Sequence, residues 1–238
     1  MPNLVRATIL QPDPHVPADR LGRWLAANHV LVRAVPLWKL PVPPVEALGD
    51  GVIVLGGIMS AHDGADHPWI APLKQRMIEL VDADVPTLAI CLGHQLLAEA
   101  FGGQVTVADP GGGEHGAYEV HWHPSARHDP LFGKLAEHGS SLFNESHGDA
   151  VTTLPAGTTS LASTAAYANQ AFRIGSAVGV QFHPEASPEL MGQWAEIGGG
   201  NARDMRRSLQ KPDSELSRNG RLLAQAFCGQ LRAHALAA

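Results

Sequence analysis

A cysteine and a histidine lying 183 − 91 = 92 residues apart carry the chemistry open to this chain. Cys91 ends the apolar run Val85-Pro-Thr-Leu-Ala-Ile90 and opens the helical pattern Leu92-Gly-His-Gln-Leu-Leu-Ala-Glu-Ala100 with no spacer between them. A side chain at so sharp a strand-to-helix corner is held at the end of the sheet, facing the unpaired amides of the first helical turn, which favour negative charge. A thiol in that place is expected to titrate low and to react as thiolate. Taken alone, Cys91 reads equally well as an inert core cysteine. What separates the two readings is Gly179-Val-Gln-Phe-His183-Pro-Glu185. In an extended segment residues i and i+2 point the same way, so His183 and Glu185 are expected to share a face, with Pro184 ending the strand. A carboxylate on one imidazole nitrogen fixes the tautomer and leaves the other nitrogen to take a thiol proton.

The elements that must position these groups follow from periodicity. Leu4 to Leu10, Val30 to Val35, Val52 to Leu55 and Val85 to Ile90 read as strands, with helices from Ala18 to Asn28 and from about Pro68 to Ala83 between them. Alternation of that kind predicts an α/β three-layer sandwich around a mostly parallel, flavodoxin-like sheet, whose carboxyl strand ends hold the reactive groups. From Gly103 onward short runs take over: Gln104 to Ala108, Ala117 to Trp122, Ser141 to Asn144, Thr159 to Ser163, Gln170 to Ile174 and Ala177 to Phe182. They are expected to extend the sheet in antiparallel fashion, the last one bringing His183 to Cys91. A helix follows Pro188 to about Ile197, then a glycine break and the basic patch Arg203, Arg206 and Arg207. The chain closes with an amphipathic helix over about 213–236 that carries Leu216, Leu223, Phe227 and Leu231 on one side. One domain over 1–238 is expected.

The segments around Cys91 and His183, with Val52-Ile-Val-Leu-Gly56-Gly57-Ile-Met-Ser60, closely resemble the class I (triad) glutamine amidotransferases from about Gly51 to Trp194, in that family's order. Asn169-Gln170-Ala171-Phe172-Arg173 extends the likeness to the free-standing, GMP-synthase-like members. The resemblance implies a Cys91–His183–Glu185 triad that releases ammonia from glutamine through a γ-glutamyl thioester. It implies an oxyanion hole from the backbone amides of Gly57 and Leu92. It also implies a glutamine pocket touched by Gly56, Gly93, Gln95, Ser146 and His147, with Gly93 giving the substrate room. No metal and no cofactor is required. The sequence departs from the family at Ala89, where glycine is usual, and at Ile58, where proline is usual, so a less rigid glycine loop is expected.

Composition narrows the partners. The formal net charge of −6 and the absence of a basic run argue against nucleic acid. No run of eighteen apolar residues and no leader-like start at Met1 is present, and the two cysteines make no disulfide framework, so neither membrane nor secretion is expected and the cytoplasm is the default. Among the thirteen histidines, His121, His123 and His128 lack the further ligands a metal site needs, and His94 is expected to point away from Cys91. Asp63 and Asp66 are expected to cap the next helix, and Cys228 to sit in the core. Three readings stand: a glutaminase that passes its ammonia to a separate synthetase or other acceptor; a γ-glutamyl hydrolase or transferase with a pocket wider than glutamine; or a non-catalytic partner subunit.

Overall fold

Strands with apolar residues on both faces form the centre of the molecule. The computed structural model describes residues 4–237. Its first half runs β1 (Arg6–Gln11), α1 (Asp19–Ala27), β2 (Leu31–Pro36), β3 (Gly51–Val54), α2 (Ile70–Asp82), β4 (Thr87–Ile90) and α3 (Leu92–Ala100). The middle holds β5 (Gln104–Thr106), β6 (Glu114–Trp122), α4 (Gly133–Ala136), β7 (Ser140–His147), β8 (Ala150–Thr153), β9 (Thr159–Ser163), β10 (Ala171–Ile174) and β11 (Ala177–Val180). Three helices close the chain: α5 (Pro188–Ile197), α6 (Ala202–Gln210) and α7 (Asp213–Ala237).

Nine strands make one sheet in the order β2-β1-β3-β4-β11-β10-β9-β6-β7. The first five are parallel and the remaining pairings antiparallel. Side chains alternate between two cores, as the pleat requires. Ile9, Ile53, Leu88 and Ile90 face α1 and α7, meeting Leu21, Leu25, Leu223, Phe227 and Leu231. Leu10, Val52, Val54 and Ala89 face α2 and α3, meeting Leu73, Met77, Leu80, Leu96 and Leu97. The result is the three-layer α/β architecture with an antiparallel extension. Register sets the place of the site: Val54 pairs with Ala89, and Ile90 with Val180, so β3, β4 and β11 end side by side.

Several expectations are corrected. The run at Gln104 does not join the main sheet. Gly102, at φ 87°, and the Gly103 N–H, which donates to Ala98 O at 2.8 Å, close α3, and the chain leaves there to pair β5 with β8 in a separate ribbon. The β6–β7 ladder runs longer than periodicity suggested, pairing Glu114 with His147, so Ser146 and His147 lie on a strand. The strand before His183 stops at Val180, and His183 makes a lone bridge to Asn144 ahead of the Pro184–Glu185 turn, because proline has no N–H to continue a ladder. Asp63 does not cap α2; it accepts the Ser60 N–H at 2.7 Å, and the N-cap position of α2 is Trp69. The basic patch forms a helix of its own, α6, started by Asn201, whose side chain accepts the N–H groups of Arg203 and Asp204.

Candidate active site

Three loops leave the aligned ends of β3, β4 and β11 and meet at Cys91. The cysteine has φ 52° and ψ −107°, a conformation that costs on the order of 1–3 kcal/mol and lasts only where its surroundings enforce it. Enforcement comes from both sides: its N–H donates to Val180 O at 2.8 Å, and its C=O accepts from Gln95 N at 3.1 Å. The thiol faces Ser146 O at 3.9 Å. Ala89 is fully buried beneath this corner.

The glycine loop closes over the cysteine. A Cβ on Gly56 would lie 3.2 Å from His183 Cε1 and 3.3 Å from Cys91 Cβ, so its missing side chain lets Cys91 and the His183 imidazole come together. A Cβ on Gly57 would fall 2.5 Å from Met59 Sδ and 2.9 Å from Leu92 Cδ2, which keeps the loop against the start of α3. Asp13, unmarked by any local pattern, restrains this loop where the family has proline. Its buried carboxylate accepts the N–H of Ile58 at 3.1 Å and of His15 at 2.7 Å.

His183 and Glu185 form the second half of the site. Glu185 Oε1 accepts from His183 Nδ1 at 2.8 Å, which leaves Nε2 as the free ring nitrogen. The turn that carries them is pinned at every residue. His183 N–H donates to Asn144 O at 2.7 Å, Glu185 O accepts from Arg20 N at 3.3 Å, and Asn144 Nδ2 donates to Ala186 O at 3.0 Å. The carbonyl of Pro184 lies 2.2 Å from where a Cβ on Gly220 would stand, so α7 touches the turn through a bare glycine. Trp194 covers the imidazole with ring centroids 4.6 Å apart. Burial by itself pushes the His183 imidazole down; the Glu185 carboxylate and Cys91 beside it outweigh that push and hold it well above the ordinary histidine value.

Gly57, Cys91, Gln95, Ser146, His147 and His183 line one cavity of about 920 Å³. Gly56, Leu92 and Glu185 back it without facing it. Gly93 is a correction: a Cβ there would meet Val54 O at 2.7 Å, so the room it leaves serves the packing of α3 on β3 and not the cavity. Gln95 is buried, with Nε2 donating to Asp149 O and Gln181 Oε1, each at 3.2 Å. His94 points into the core, where Nε2 donates to Asn169 O at 3.1 Å and the ring packs on Phe172. His123 engages Ser160 and Ser163 through its two ring nitrogens. Burial holds Cys228 at about 11.

Sequence reasoning missed two further parts of the site. The far wall comes from α5 and α6 through Met191, Trp194, Asp204 and Met205, held together by an apolar cluster with Leu190, Leu209 and Leu216. Behind His147 lies a buried polar group. Glu114 Oε2 stands 3.2 Å and Glu145 Oε2 3.7 Å from His147 Nε2, and Gln170 Nε2 donates to Glu114 Oε2 at 2.7 Å. Of this group the sequence singled out His147 for the site; Glu114 lies on β6 and Gln170 just ahead of β10, both distant in the chain.

Known proteins share both the sequence pattern and the fold. The family model described as glutamine amidotransferase class-I matches residues 26–195. In Halobacterium salinarum, one subunit of the glutamine-hydrolyzing GMP synthase is 31% identical over 176 residues, which cover 71% of this chain and 87% of that protein. The glutamine-hydrolyzing GMP synthase of a Parafrankia species is 35% identical over 175 residues, and there the chain spans 29% of the longer protein. Among solved structures, a glutamine amidotransferase from Thermotoga maritima superposes with TM-score 0.83 at 23% identity, covering 95% of this chain and 99% of that one.

Proposed function

The chain belongs to the class I glutamine amidotransferases, and from that premise we propose that it hydrolyses the side-chain amide of glutamine through Cys91, His183 and Glu185. The observation that carries this reading is the His183 imidazole, tied to Glu185 through Nδ1 at 2.8 Å and set with Cys91 around Gly56. Cys91 gives its proton to His183 Nε2 and its sulfur attacks the amide carbonyl, making a tetrahedral oxyanion. The backbone N–H groups of Gly57 and Leu92 are the proposed donors to that oxygen; loss of one such donor costs about 10²–10³ in rate. Collapse of the intermediate passes the His183 proton to the leaving nitrogen, which departs as ammonia and leaves a γ-glutamyl thioester. Water, deprotonated by the same imidazole, then splits the thioester to glutamate and restores the thiol. Gln95, Ser146 and His147 are the proposed walls around the glutamine.

The curated relatives of this chain are named for GMP synthesis, which supports delivery of the ammonia to a separate synthetase subunit. No helix among the described residues is long and apolar enough to cross a membrane. A reducing, cytoplasmic setting suits the unpaired thiol. A second reading has one observation in its favour. The cavity of about 920 Å³ runs on beneath α5 and α6 and stands at the upper end of the range for small-molecule sites. It has room for a γ-glutamyl compound whose amine is larger than ammonia.

Ammonia and glutamate release from L-glutamine by the purified chain tests both, alongside Cys91→Ala and a panel of γ-glutamyl amides. Glutamine turnover that disappears in Cys91→Ala is the expected result. Turnover of larger amides alone would move the assignment to the second reading, and no turnover of any substrate, with or without a synthetase present, would overturn both.

A further inference from the structure

Glu145 is fully buried, and neither of its carboxylate oxygens has a hydrogen-bond partner. Buried polar atoms are almost always paired, so an exception of this kind calls for a cause. Its place in the chain is telling. Asn144, on one side, accepts the N–H of His183, and Ser146, on the other, turns its carbonyl to the Cys91 thiol. Glu145 therefore occupies the stretch of β7 that backs both reacting groups.

The neighbouring atoms offer a carboxylate ion little compensation. His147 Nδ1 lies 3.0 Å from Asp149 O, and a carbonyl can only accept, so Nδ1 carries the hydrogen. Nε2 is then the only ring atom left for the two glutamates, and Glu114 holds the nearer position. The groups facing Glu145 are Glu114 from β6, His147 on its own strand, Cys91 at the head of α3, His183 after β11, and Tyr167 beyond the His147 ring. No Lys or Arg is among them. Burial, then the Glu114 charge, push the Glu145 carboxyl well above its ordinary value, partly countered by His183.

We propose that Glu145 is a positioning residue held as a neutral carboxylic acid, which fills the wall behind Cys91 and His183 without adding a second carboxylate charge to it. The proposal rests on Cys91 being the nucleophile. Once Glu145 ionises, its charge opposes both the thiolate and the oxyanion that follows, so the wild-type site weakens on the alkaline side. Glu145→Gln keeps the shape and cannot ionise.

The test is the rate of Cys91 alkylation by iodoacetamide from pH 6 to 10, read by mass on the Cys91 peptide, in wild type, Glu145→Gln and Glu145→Met. This readout needs no substrate, so it stands whether or not glutamine is turned over. The expected ratio of Glu145→Gln to wild-type rates is near one at pH 6.5 and exceeds one only where wild-type Glu145 begins to ionise on the alkaline side, and Glu145→Met follows it. A ratio already above about threefold at pH 6.5 would overturn the proposal, since wild-type Glu145 would then carry a charge there. So would a folded Glu145→Gln that reacts more slowly at every pH, since a negative charge would then be in use. One equivalent of zinc retained by wild type in equilibrium dialysis and lost in Glu145→Gln would overturn it too, because the three groups of Glu114, Glu145 and His147 lie within 4.8 Å and a cation would then hold them.

Discussion

Two fully buried histidines flank the strand ends at Cys91, and they are driven in opposite directions. His94 follows Cys91 by three residues on α3 and meets the backbone at Asn169 and Gly179, an aromatic ring and the core. Burial takes it down to about 3, and its backbone partners recover little of that. His183 comes from the far side of β11 and meets the Glu185 carboxylate and Cys91, which lift it well above the usual value against the same burial. A carboxylate outweighs desolvation, whereas a carbonyl does not. Nearness to Cys91 in sequence therefore says little about how an imidazole titrates.

Glu185→Gln should break the comparison most completely. The amide leaves a hydrogen-bonding group of the same size against Nδ1 and removes the charge, so burial of His183 is no longer outweighed and the ring moves toward the behaviour of His94. The expected fall in kcat for glutamine is about 10²–10⁴. Stability should respond as well. A raised histidine stabilises the fold fully below pH 6.5 and ceases to do so as pH rises through the folded value, so Glu185→Gln should lower stability most on the acid side of that window. Thermal melts at pH 5.5 and 9, set beside steady-state kinetics, would check both; equal losses of stability at the two pH values would contradict the assigned cause.

Next in size is the support beneath the Pro184 turn. α7 passes the Pro184 carbonyl at Gly220, where a Cβ would stand 2.2 Å from the oxygen and 2.9 Å from the Trp24 ring. Gly220→Ala must push the helix or the turn aside, at about 1–3 kcal/mol. A chain of this length should lose roughly 2–4 °C of Tm for each kcal/mol. Because the displaced turn carries His183 and Glu185, kcat/KM should fall about tenfold with it. A melting shift with unchanged kinetics would mean that the turn keeps its geometry without help from α7.

The contrast also marks how much of the molecule its sequence discloses. The strand-to-helix corner, the glycine loop and the His183-Pro184-Glu185 segment are local patterns, and the elements that bear them follow from periodicities of 2 and 3.6. Partners that meet only through topology are not local. Glu114, Glu145 and Gln170 converge on one polar centre from β6, β7 and the residue just ahead of β10, and no spacing announces it. Gly93 looks from sequence like room for substrate, yet Val54 fills that room, since the same absence of a side chain serves helix packing as readily as a ligand. Asp13 escaped notice because a single aspartate before a proline reads as a turn. The contribution of α6 to the cavity depends on how α5 and α7 fold back, which the periodicity of each helix leaves open.

His94→Phe sharpens the comparison from its other side and should touch activity least, within about twofold. The ring already packs on Phe172, with centroids 5.0 Å apart, so phenylalanine preserves the packing and gives up the bond to Asn169 O. Its signature belongs to pH. A buried imidazole held neutral down to about 3 means that the unfolded chain takes up a proton below pH 6.5 while the folded chain does not. Stability falls as pH drops through that window, by up to roughly 5 kcal/mol at its lower limit. Phenylalanine binds no proton in either state, so the acid limb of the stability profile should flatten between pH 6.5 and 3, while the neutral-pH stability drops by about 1 kcal/mol for the lost hydrogen bond. Urea melts at steps of half a pH unit measure both changes. A variant with the wild-type acid slope would place the proton uptake elsewhere and remove the contrast between the two histidines, whereas a flattened slope with wild-type kinetics would leave His183 as the one imidazole of the pair that serves Cys91.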